Sequence, residues 1–160
     1  MSEPALLPHA NVRFPPPLIY VIGFVLGWLI GLRWPLAIAG TEHRGVRLVI
    51  GGAIVLASLV MAMSAFARFR VAHTAIIPLY PASTIVTVGP YRVTRNPMYV
   101  GMAALYAGAA VLTNGWWPLV VLPLVIIVID RAVIAREERY LRRAFPIEYA
   151  AYCARVRRWL

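Results

Sequence analysis

The sequence has few residues of the kinds that hold metals or form covalent cross-links. It contains one cysteine, Cys153, in 160 residues, so an intrachain disulfide and a cysteine-based metal cage are both excluded. The three histidines, His9, His43 and His73, lack metal-ligand spacing. We therefore expect loop or interface roles for the histidines and no bound metal.

Charge is also scarce, and this excludes an ordinary soluble domain. Only 14% of the residues are charged, compared with about 25% in soluble domains. Hydrophobic residues make up 61% of the chain, and the mean hydropathy is +0.74. The composition predicts an integral membrane protein, with residues 1–160 as a single membrane domain.

Lysine is absent: all sixteen basic residues are arginine, and the formal net charge is +10. A strongly basic protein is a candidate for nucleic-acid binding. Here the arginines lie mainly beside apolar segments, as they do on the cytoplasmic side of membrane proteins, where anionic headgroups attract them. We therefore predict membrane lipids, and no nucleic acid, as partners.

Four apolar segments predict the fold class. The first two, about residues 18–39 and 46–66, each approach the roughly 20 residues that a helix needs to cross a bilayer; the third is about residues 98–113 and the fourth about 116–136. Only TNGWW separates the last two, and this turn signal predicts a tight helical hairpin. We predict an all-α polytopic protein with about four transmembrane helices, followed by a C-terminal cytoplasmic amphipathic helix.

The first segment could also be a signal peptide, because Ala37-Ile38-Ala39 resembles a small-residue cleavage site. The apolar run before it is too long, however, and Arg33 interrupts it. A retained helix is therefore the favoured interpretation.

Arginine placement predicts the orientation. Four arginines lie in the connection between the second and third segments, and seven lie at or beyond the end of the fourth, from Arg136 onward, whereas the turn between the third and fourth has no charge. The positive-inside rule then places both termini in the cytoplasm.

Glycines recur at helical spacing. Gly23, Gly27 and Gly31 are four residues apart, and Gly101 and Gly108 lie in the third segment. Small residues at this spacing share a face of the helix and allow two backbones to approach closely. We predict helix–helix contacts at these positions.

A polar segment, GPYRVTRNPMYVG, occupies residues 89–101, directly before an apolar helix. Gly89-Pro90 is a turn signal. Asn96 suits a helix N-cap and Pro97 suits the first turn, where the missing N–H has no cost. The free N–H groups of such a helix start can bind a carboxylate or a phosphate.

A second polar segment, DRAVIAREERYLRRAF, covers residues 130–145 and has no helix breaker before Pro146. The fourth helix should therefore continue beyond the membrane. Asp130 and Glu137, seven residues apart, should lie on nearly the same face, with Arg131, Glu138 and Arg142 on an adjacent face.

Two features of this helix point to partners. Glu138 and Arg142 can form an i,i+4 pair. The adjacent carboxylates of Glu137 and Glu138 are costly beside a membrane, so they predict a cationic or hydrogen-bonding partner.

The two segments together resemble a known family. GPYRVTRNPMYVG, a hydrophobic hairpin and then EERYL…F…EY…Y…V.RW are similar to the isoprenylcysteine carboxyl methyltransferases and the related phospholipid methyltransferases. HTAIIPLYPASTIVTVGPY resembles the segment that precedes the first motif in bacterial members. The resemblance covers about residues 71–160, and it divides the chain into an N-terminal helical pair, 14–70, and a cofactor-binding methyltransferase-like region, 71–160.

The resemblance implies a helical membrane enzyme that binds S-adenosylmethionine on the cytoplasmic side, without the soluble Rossmann-type fold. It implies Glu137, Glu138 and Arg95 as catalytic residues. The cofactor pocket that it implies is lined by Tyr91, Arg95, Asn96, Pro97, Tyr99, Gly101, Glu137, Glu138, Tyr149 and Tyr152.

The chain departs from the family pattern at three places. Asn96 stands where the best-known members have histidine; asparagine cannot carry a proton, so it should hold the cofactor by hydrogen bonding. Phe145-Pro146 replaces Phe-Gly, and Val156-Arg157-Arg158-Trp159 replaces Val-Pro-Arg-Trp. The last change affects the geometry expected for the tail.

The function that this implies is methyl transfer to a lipophilic acceptor in the inner membrane of a bacterium. The carboxylate of an isoprenylated cysteine, a phospholipid amine and a small thiol stay open as acceptors. Two other functions also stay open: a nicotinamide-dependent membrane reductase of similar architecture, and a membrane scaffold without enzyme activity.

Overall fold

The computed structural model describes residues 15–71 and 84–160. The predictions made for His9, for His73 and for the segment that precedes Thr84 lie outside these residues. Within them, the main elements are helices: α1 Pro16–Arg33, α2 Arg44–Val71, α3 Pro97–Leu112, α4 Trp116–Ile129, α5 Ala135–Ala144 and α6 Pro146–Arg155.

Three helical stretches are long and apolar enough to cross a membrane: Pro16–Arg33, Thr41–Arg68 and Trp116–Ala144. A fourth apolar helix, α3, is shorter, at 16 residues. The predicted all-α, polytopic fold is confirmed, and the chain is an integral membrane protein.

The predicted end of the first span, at residue 39, is wrong. Helix α1 ends at Arg33, and Trp34 already has non-helical backbone angles. The cause is Pro35, since the residue before a proline is disfavoured in the α conformation.

The helices pack in a simple order. Helices α3 and α4 form the predicted hairpin, α2 packs along α3, and α1 packs mainly against α4. The two N-terminal helices therefore flank the hairpin on opposite sides. Their outward side chains, such as Val21, Leu29, Val49 and Met63, are exposed and apolar, as a lipid-facing surface requires.

The glycines lie where helices approach each other, as predicted. An added Cβ at Gly27 would be 2.6 Å from the Cα of Pro118 in α4, and an added Cβ at Gly108 would be 2.9 Å from Val55 in α2. The spacing of four along α1 brings Gly23 and Gly31 against the same neighbouring helix. Close backbone approach thus joins α1 to α4 and α2 to α3.

The predicted α3–α4 turn is confirmed, and it also fastens the connection between α1 and α2. Asn114 adopts a left-handed conformation with φ 59°, which asparagine tolerates better than most residues. Its Oδ1 accepts hydrogen bonds from the backbone N–H groups of Ile38 and Ala39 at 3.1 and 3.0 Å. The indole N–H of Trp117 donates to the Trp34 carbonyl at 2.6 Å.

Candidate functional site

The polar segments meet at the opposite end of the hairpin from this turn. Helix α3 begins at Pro97 with Asn96 directly before it, as predicted, but the side chain of Asn96 makes no capping hydrogen bond and donates to the tail instead. Gly89 has φ 65°, in the left-handed region that glycine enters without strain. Gly89 begins the short 3₁₀ turn Gly89–Arg92, in which the side chain of Tyr91 is buried.

The fourth helix continues past the apolar region, as predicted, but a π-helical turn, Asp130–Ile134, joins α4 to α5. A π-helical turn holds one more residue than an α-helical turn. Residues eight apart across it therefore replace residues seven apart as neighbours on one face. The prediction that Asp130 shares a face with Glu137 is wrong, because Asp130 and Glu138 both contact Arg158.

Glu137 faces α3. The hydroxyl of Tyr99 donates to its Oε1 at 2.7 Å. The backbone carbonyl of Tyr99 in turn accepts a hydrogen bond from the hydroxyl of Tyr20, in α1, at 3.0 Å. These two bonds connect α1, α3 and α5 at the site.

Glu138 is buried and is surrounded by guanidinium groups. Its Oε2 lies 2.5 Å from Nη2 of Arg158, and its Oε1 lies 3.4 Å from Nη1 of Arg95. The predicted i,i+4 pair is also present, with Nη2 of Arg142 at 3.9 Å. Glu137 and Glu138, the twin acids, predicted a cationic or hydrogen-bonding partner. For Glu138 the partners are arginines of the chain itself.

Asp130 belongs to the same cluster, although it was not among the predicted site residues. Its carboxylate lies 3.4 Å from Nη1 of Arg158, and its Oδ1 accepts a hydrogen bond from the indole N–H of Trp159 at 3.1 Å. The sequence signal for this contact was the departure from the family pattern at Val156-Arg157-Arg158-Trp159. It pointed to an altered geometry but not to these partners.

The C-terminal tail, residues 156–160, lies beside the start of α3. The backbone N–H of Arg95 donates to the Arg157 carbonyl at 2.9 Å. The carbonyl of Arg158 accepts from Thr94 Oγ1 at 3.0 Å and from Asn96 Nδ2 at 2.9 Å. Asn96 therefore holds the tail with its side-chain amide.

Helix α6 covers the same region. The hydroxyl of Tyr152 donates to the carbonyl of Tyr91 at 2.7 Å, and Tyr149 is buried beside it. Burial raises the pKa of Tyr152 to about 12, and burial likewise raises the pKa of Tyr91 and Tyr149. At physiological pH these three phenols are neutral hydrogen-bonding groups.

Arg95 lies between α6 and the twin acids. It contacts Glu138, and its Nη1 also approaches the sulfur of Cys153. Its Nε is buried and has no hydrogen-bond acceptor among the described residues. A buried guanidinium N–H without a partner is costly, so this group can bind an anionic ligand atom.

One predicted site residue points elsewhere. Gly101 lies against α2, where an added Cβ would be 3.5 Å from the Ser58 carbonyl. Its position accounts for helix packing, and its predicted contact with a cofactor stays a prediction. The other predicted residues lie around the start of α3, on α5 and on α6.

A separate concavity of about 210 Å³ opens at the other end of the bundle. Small and apolar groups, including Gly27, Gly31, Leu36 and Pro118, line much of it, and Asn114 is among its polar residues. Its lining includes none of the charged residues described above.

The chain is 38% identical over 74 residues to the cobalt-zinc-cadmium resistance protein CzcN of Cupriavidus metallidurans. The match covers 46% of the chain and 34% of that relative, so the chain spans about a third of the relative's length. No solved structure matches the chain.

The family comparison extends further. The phospholipid methyltransferase family matches residues 46–148, from the start of α2 into α6. This range includes the Asn96-Pro97 corner, the hairpin and the twin acids. The chain therefore belongs to the phospholipid methyltransferase family, within the group of membrane methyltransferases that includes the isoprenylcysteine carboxyl enzymes.

Proposed function

We propose that the protein transfers a methyl group from S-adenosylmethionine to a lipophilic acceptor. One observation carries this proposal: two polar motifs separated by a hydrophobic hairpin are in direct contact, through the Tyr99–Glu137 and Arg95–Glu138 pairs. A scaffold has no need of this juxtaposition. Membership of a methyltransferase family favours methyl transfer over a nicotinamide-dependent reduction.

The residues present suit the charges of S-adenosylmethionine, which carries a cationic amino group, a sulfonium and a carboxylate. Glu137 is an acid for the cationic groups, since its carboxylate accepts a hydrogen bond from the neutral hydroxyl of Tyr99. The buried Nε of Arg95 is a donor for the carboxylate. Tyr91 and Tyr99 supply aromatic surfaces, and cation–π attraction to a sulfonium contributes about 0.5–2 kcal/mol.

When bound, the cofactor supplies an electrophilic methyl group for an in-line displacement. The contribution of the protein is alignment and the exclusion of water. Positioning of two reactants can lower a barrier by roughly 7–11 kcal/mol. Burial of Tyr91, Tyr99, Tyr149 and Tyr152 around the site supports this role.

The acceptor determines whether a base is needed. A carboxylate or a thiolate can attack without losing a proton first. An amine must be neutral, and Glu137, hydrogen-bonded to Tyr99 at the end of the apolar hairpin, is the residue placed to take its proton. The family match favours a phospholipid amine, whereas the motif resemblance also favours the carboxylate of an isoprenylated cysteine.

We also propose that the site faces the cytoplasm of a bacterium, in the inner membrane, with both termini on that side. Arg68, Arg92 and the arginines of α5, α6 and the tail lie at the site end of the helices. Three arginines, Arg33, Arg44 and Arg47, lie at the other end. The excess at the site end satisfies the positive-inside rule.

The test uses purified protein in nanodiscs, methyl-labelled S-adenosylmethionine and extracts of bacterial membrane lipids. We expect label in the organic phase with the wild type and about 10- to 100-fold less with Glu137→Gln, since one charge-assisted contact is worth about 1.5–3 kcal/mol. Glu148→Gln is the matched control, because Glu148 is exposed on α6.

The same preparation decides between the acceptors and the alternative functions. Phosphatidylethanolamine and an S-farnesylcysteine are supplied separately, and the labelled product identifies the class. Label confined to water-soluble products would contradict a lipophilic acceptor. Binding of NADPH without binding of S-adenosylmethionine would instead identify a reductase.

A further inference from the structure

The C-terminal tail connects the two halves of the proposed site. The carbonyls of Arg157 and Arg158 in the tail accept hydrogen bonds from Arg95 and Asn96. The side chain of Arg158 reaches across to the acids on the helix after α4. The tail therefore touches both motifs, which are brought together from positions about 40 residues apart in the chain.

The two adjacent acids have different partners. The carboxylate of Glu138 is engaged by Arg158 at 2.5 and 3.1 Å, and Arg95 and Arg142 lie within 4 Å of it. Glu137 accepts its hydrogen bond from Tyr99, a neutral donor. An acid already neutralised by guanidinium groups has little remaining attraction for a cationic ligand. The partners thus divide the acids into one that holds the tail and one that is available to a ligand.

Asp130 strengthens the hold on the tail. Nη1 of Arg158 lies 3.4 Å from each of its carboxylate oxygens, and Trp159 donates to Oδ1 at 3.1 Å. The ring of Trp159 packs against the buried core that contains Val133 and Ile134. The hydrogen bond to Glu138 is the main cause of the raised pKa of Arg158, so its guanidinium stays charged.

Burial shows that α6, the helix directly before the tail, covers the site. Tyr91, Tyr149 and Tyr152 are almost completely buried, and the hydroxyl of Tyr152 on α6 bonds the backbone of Tyr91. A ligand of nucleoside size can reach these side chains only when the covering segment moves. The side chain of Arg158 is 37% exposed, so its ion pairs lie at the outer edge of the covered region.

We propose that the tail is a clasp over the cofactor site: Arg158 and Trp159 fasten it to Glu138 and Asp130, and Glu137 is the acid that meets the cationic groups of the cofactor. This rests on the proposed function. Arg158 is a positioning residue, because it acts on the cofactor by holding the cover and not by touching the reacting atoms. Opening of the clasp limits both entry and release of the cofactor.

The experiment measures the rates of binding and release of tritiated S-adenosylmethionine by rapid filtration on full-length protein in nanodiscs. We expect Arg158→Gln to raise the dissociation rate constant about tenfold or more, the factor that loss of one charge-assisted contact produces. The association rate constant should rise as well, because the closed state is less populated. Arg158→Lys, which keeps the positive charge, should raise both rate constants less than Arg158→Gln does.

The neighbouring residue provides a matched control. Arg157→Gln removes the same charge from the same tail, but the side chain of Arg157 is exposed and its carbonyl makes the contact with Arg95. Both rate constants should stay at wild-type values. Trp159→Phe, which keeps a ring in the core and removes the N–H donor, is a second clasp variant with a smaller expected rise.

The two acids give opposite signatures. Glu138→Gln should raise both rate constants as Arg158→Gln does. Glu137→Gln should weaken equilibrium binding of S-adenosylmethionine without raising the association rate constant.

Three results would overturn the clasp. Unchanged rates in Arg158→Gln and Trp159→Phe would show that the tail has only a structural role. Tighter equilibrium binding in Arg158→Gln would show that Arg158 competes with the cofactor for Glu138. Absence of binding by the wild type would refute the proposed function and the clasp with it, whereas the first two results refute the clasp alone.

Discussion

The contact between α1 and α4 allows a stability prediction from one atom. An added Cβ at Gly27 would lie 2.6 Å from Cα and 2.7 Å from N of Pro118, and 3.0 Å from the carbonyl carbon of Trp117. All three are backbone atoms, so a side-chain rotation cannot relieve the overlap. Non-bonded carbons prefer about 3.5–4.0 Å, so the helices must separate by about 1 Å. We expect Gly27→Ala to lose about 1–3 kcal/mol, the usual cost of overpacking.

Gly31 lies one turn further along the same face and is the control. Its added Cβ would be 3.6 Å from Cδ1 of Trp117, an ordinary contact. Alanine also favours a helix over glycine by about 0.5–1 kcal/mol. We therefore expect Gly31→Ala to be neutral or slightly stabilising.

Tryptophan fluorescence during heating in a mild detergent measures both variants. For a chain of this size 1 kcal/mol shifts the midpoint by about 2–4 °C, so Gly27→Ala should unfold about 2–12 °C below the wild type. The Tyr20–Tyr99 hydrogen bond joins α1 to the site, so methyl-transfer activity should fall as well. Equal midpoints for Gly27→Ala and Gly31→Ala would refute the close backbone contact.

Two further predictions concern single side chains. Arg47 Nη1 donates to the Val111 carbonyl at 2.8 Å at the C-terminus of α3, so Arg47→Gln should lower the unfolding free energy by about 1–2 kcal/mol. Arg44 is exposed, so Arg44→Gln should leave the unfolding free energy unchanged. Equal losses for the two variants in a denaturation series would contradict this prediction. Burial raises the pKa of Tyr152 to about 12 from an ordinary value of 10.0; because the folded pKa is the higher one, the stability that it contributes is complete below pH 10 and is lost as pH rises from about 10 to 12. The difference in tyrosinate absorbance between wild type and Tyr152→Phe measures this titration, and a midpoint near 10 in the folded protein would contradict it.

The membrane fold was predictable because it depends on local properties of the chain. The apolar runs identified the helices, and Asn96-Pro97 and TNGWW identified the start of α3 and the hairpin turn. These signals act within a few residues: proline cannot donate a backbone hydrogen bond, and Asn114 tolerates a left-handed conformation. The error at the end of α1 has the same origin, because Pro35 was not weighed against the apolar residues that follow it.

The partners in the site were less predictable. The twin acids were recognised as needing cationic or hydrogen-bonding partners, but the sequence contains sixteen arginines and does not say which of them approach. A single π-helical turn moved Asp130 from the face of Glu137 to that of Glu138. Arg158 lies 20 residues beyond Glu138, so no local periodicity connects them.

By itself the sequence determined that this chain enters a membrane as helices and carries its polar chemistry beside the α3–α4 hairpin. Hydrophobicity, turn residues and the order of the motifs are properties of the chain before it folds. Only the tertiary structure decided that Glu138 holds Arg158 while Glu137 faces Tyr99. The physical reason is that ion pairs depend on distances of a few ångströms between helices and tail, and those distances are set by packing and by one extra residue in a helical turn.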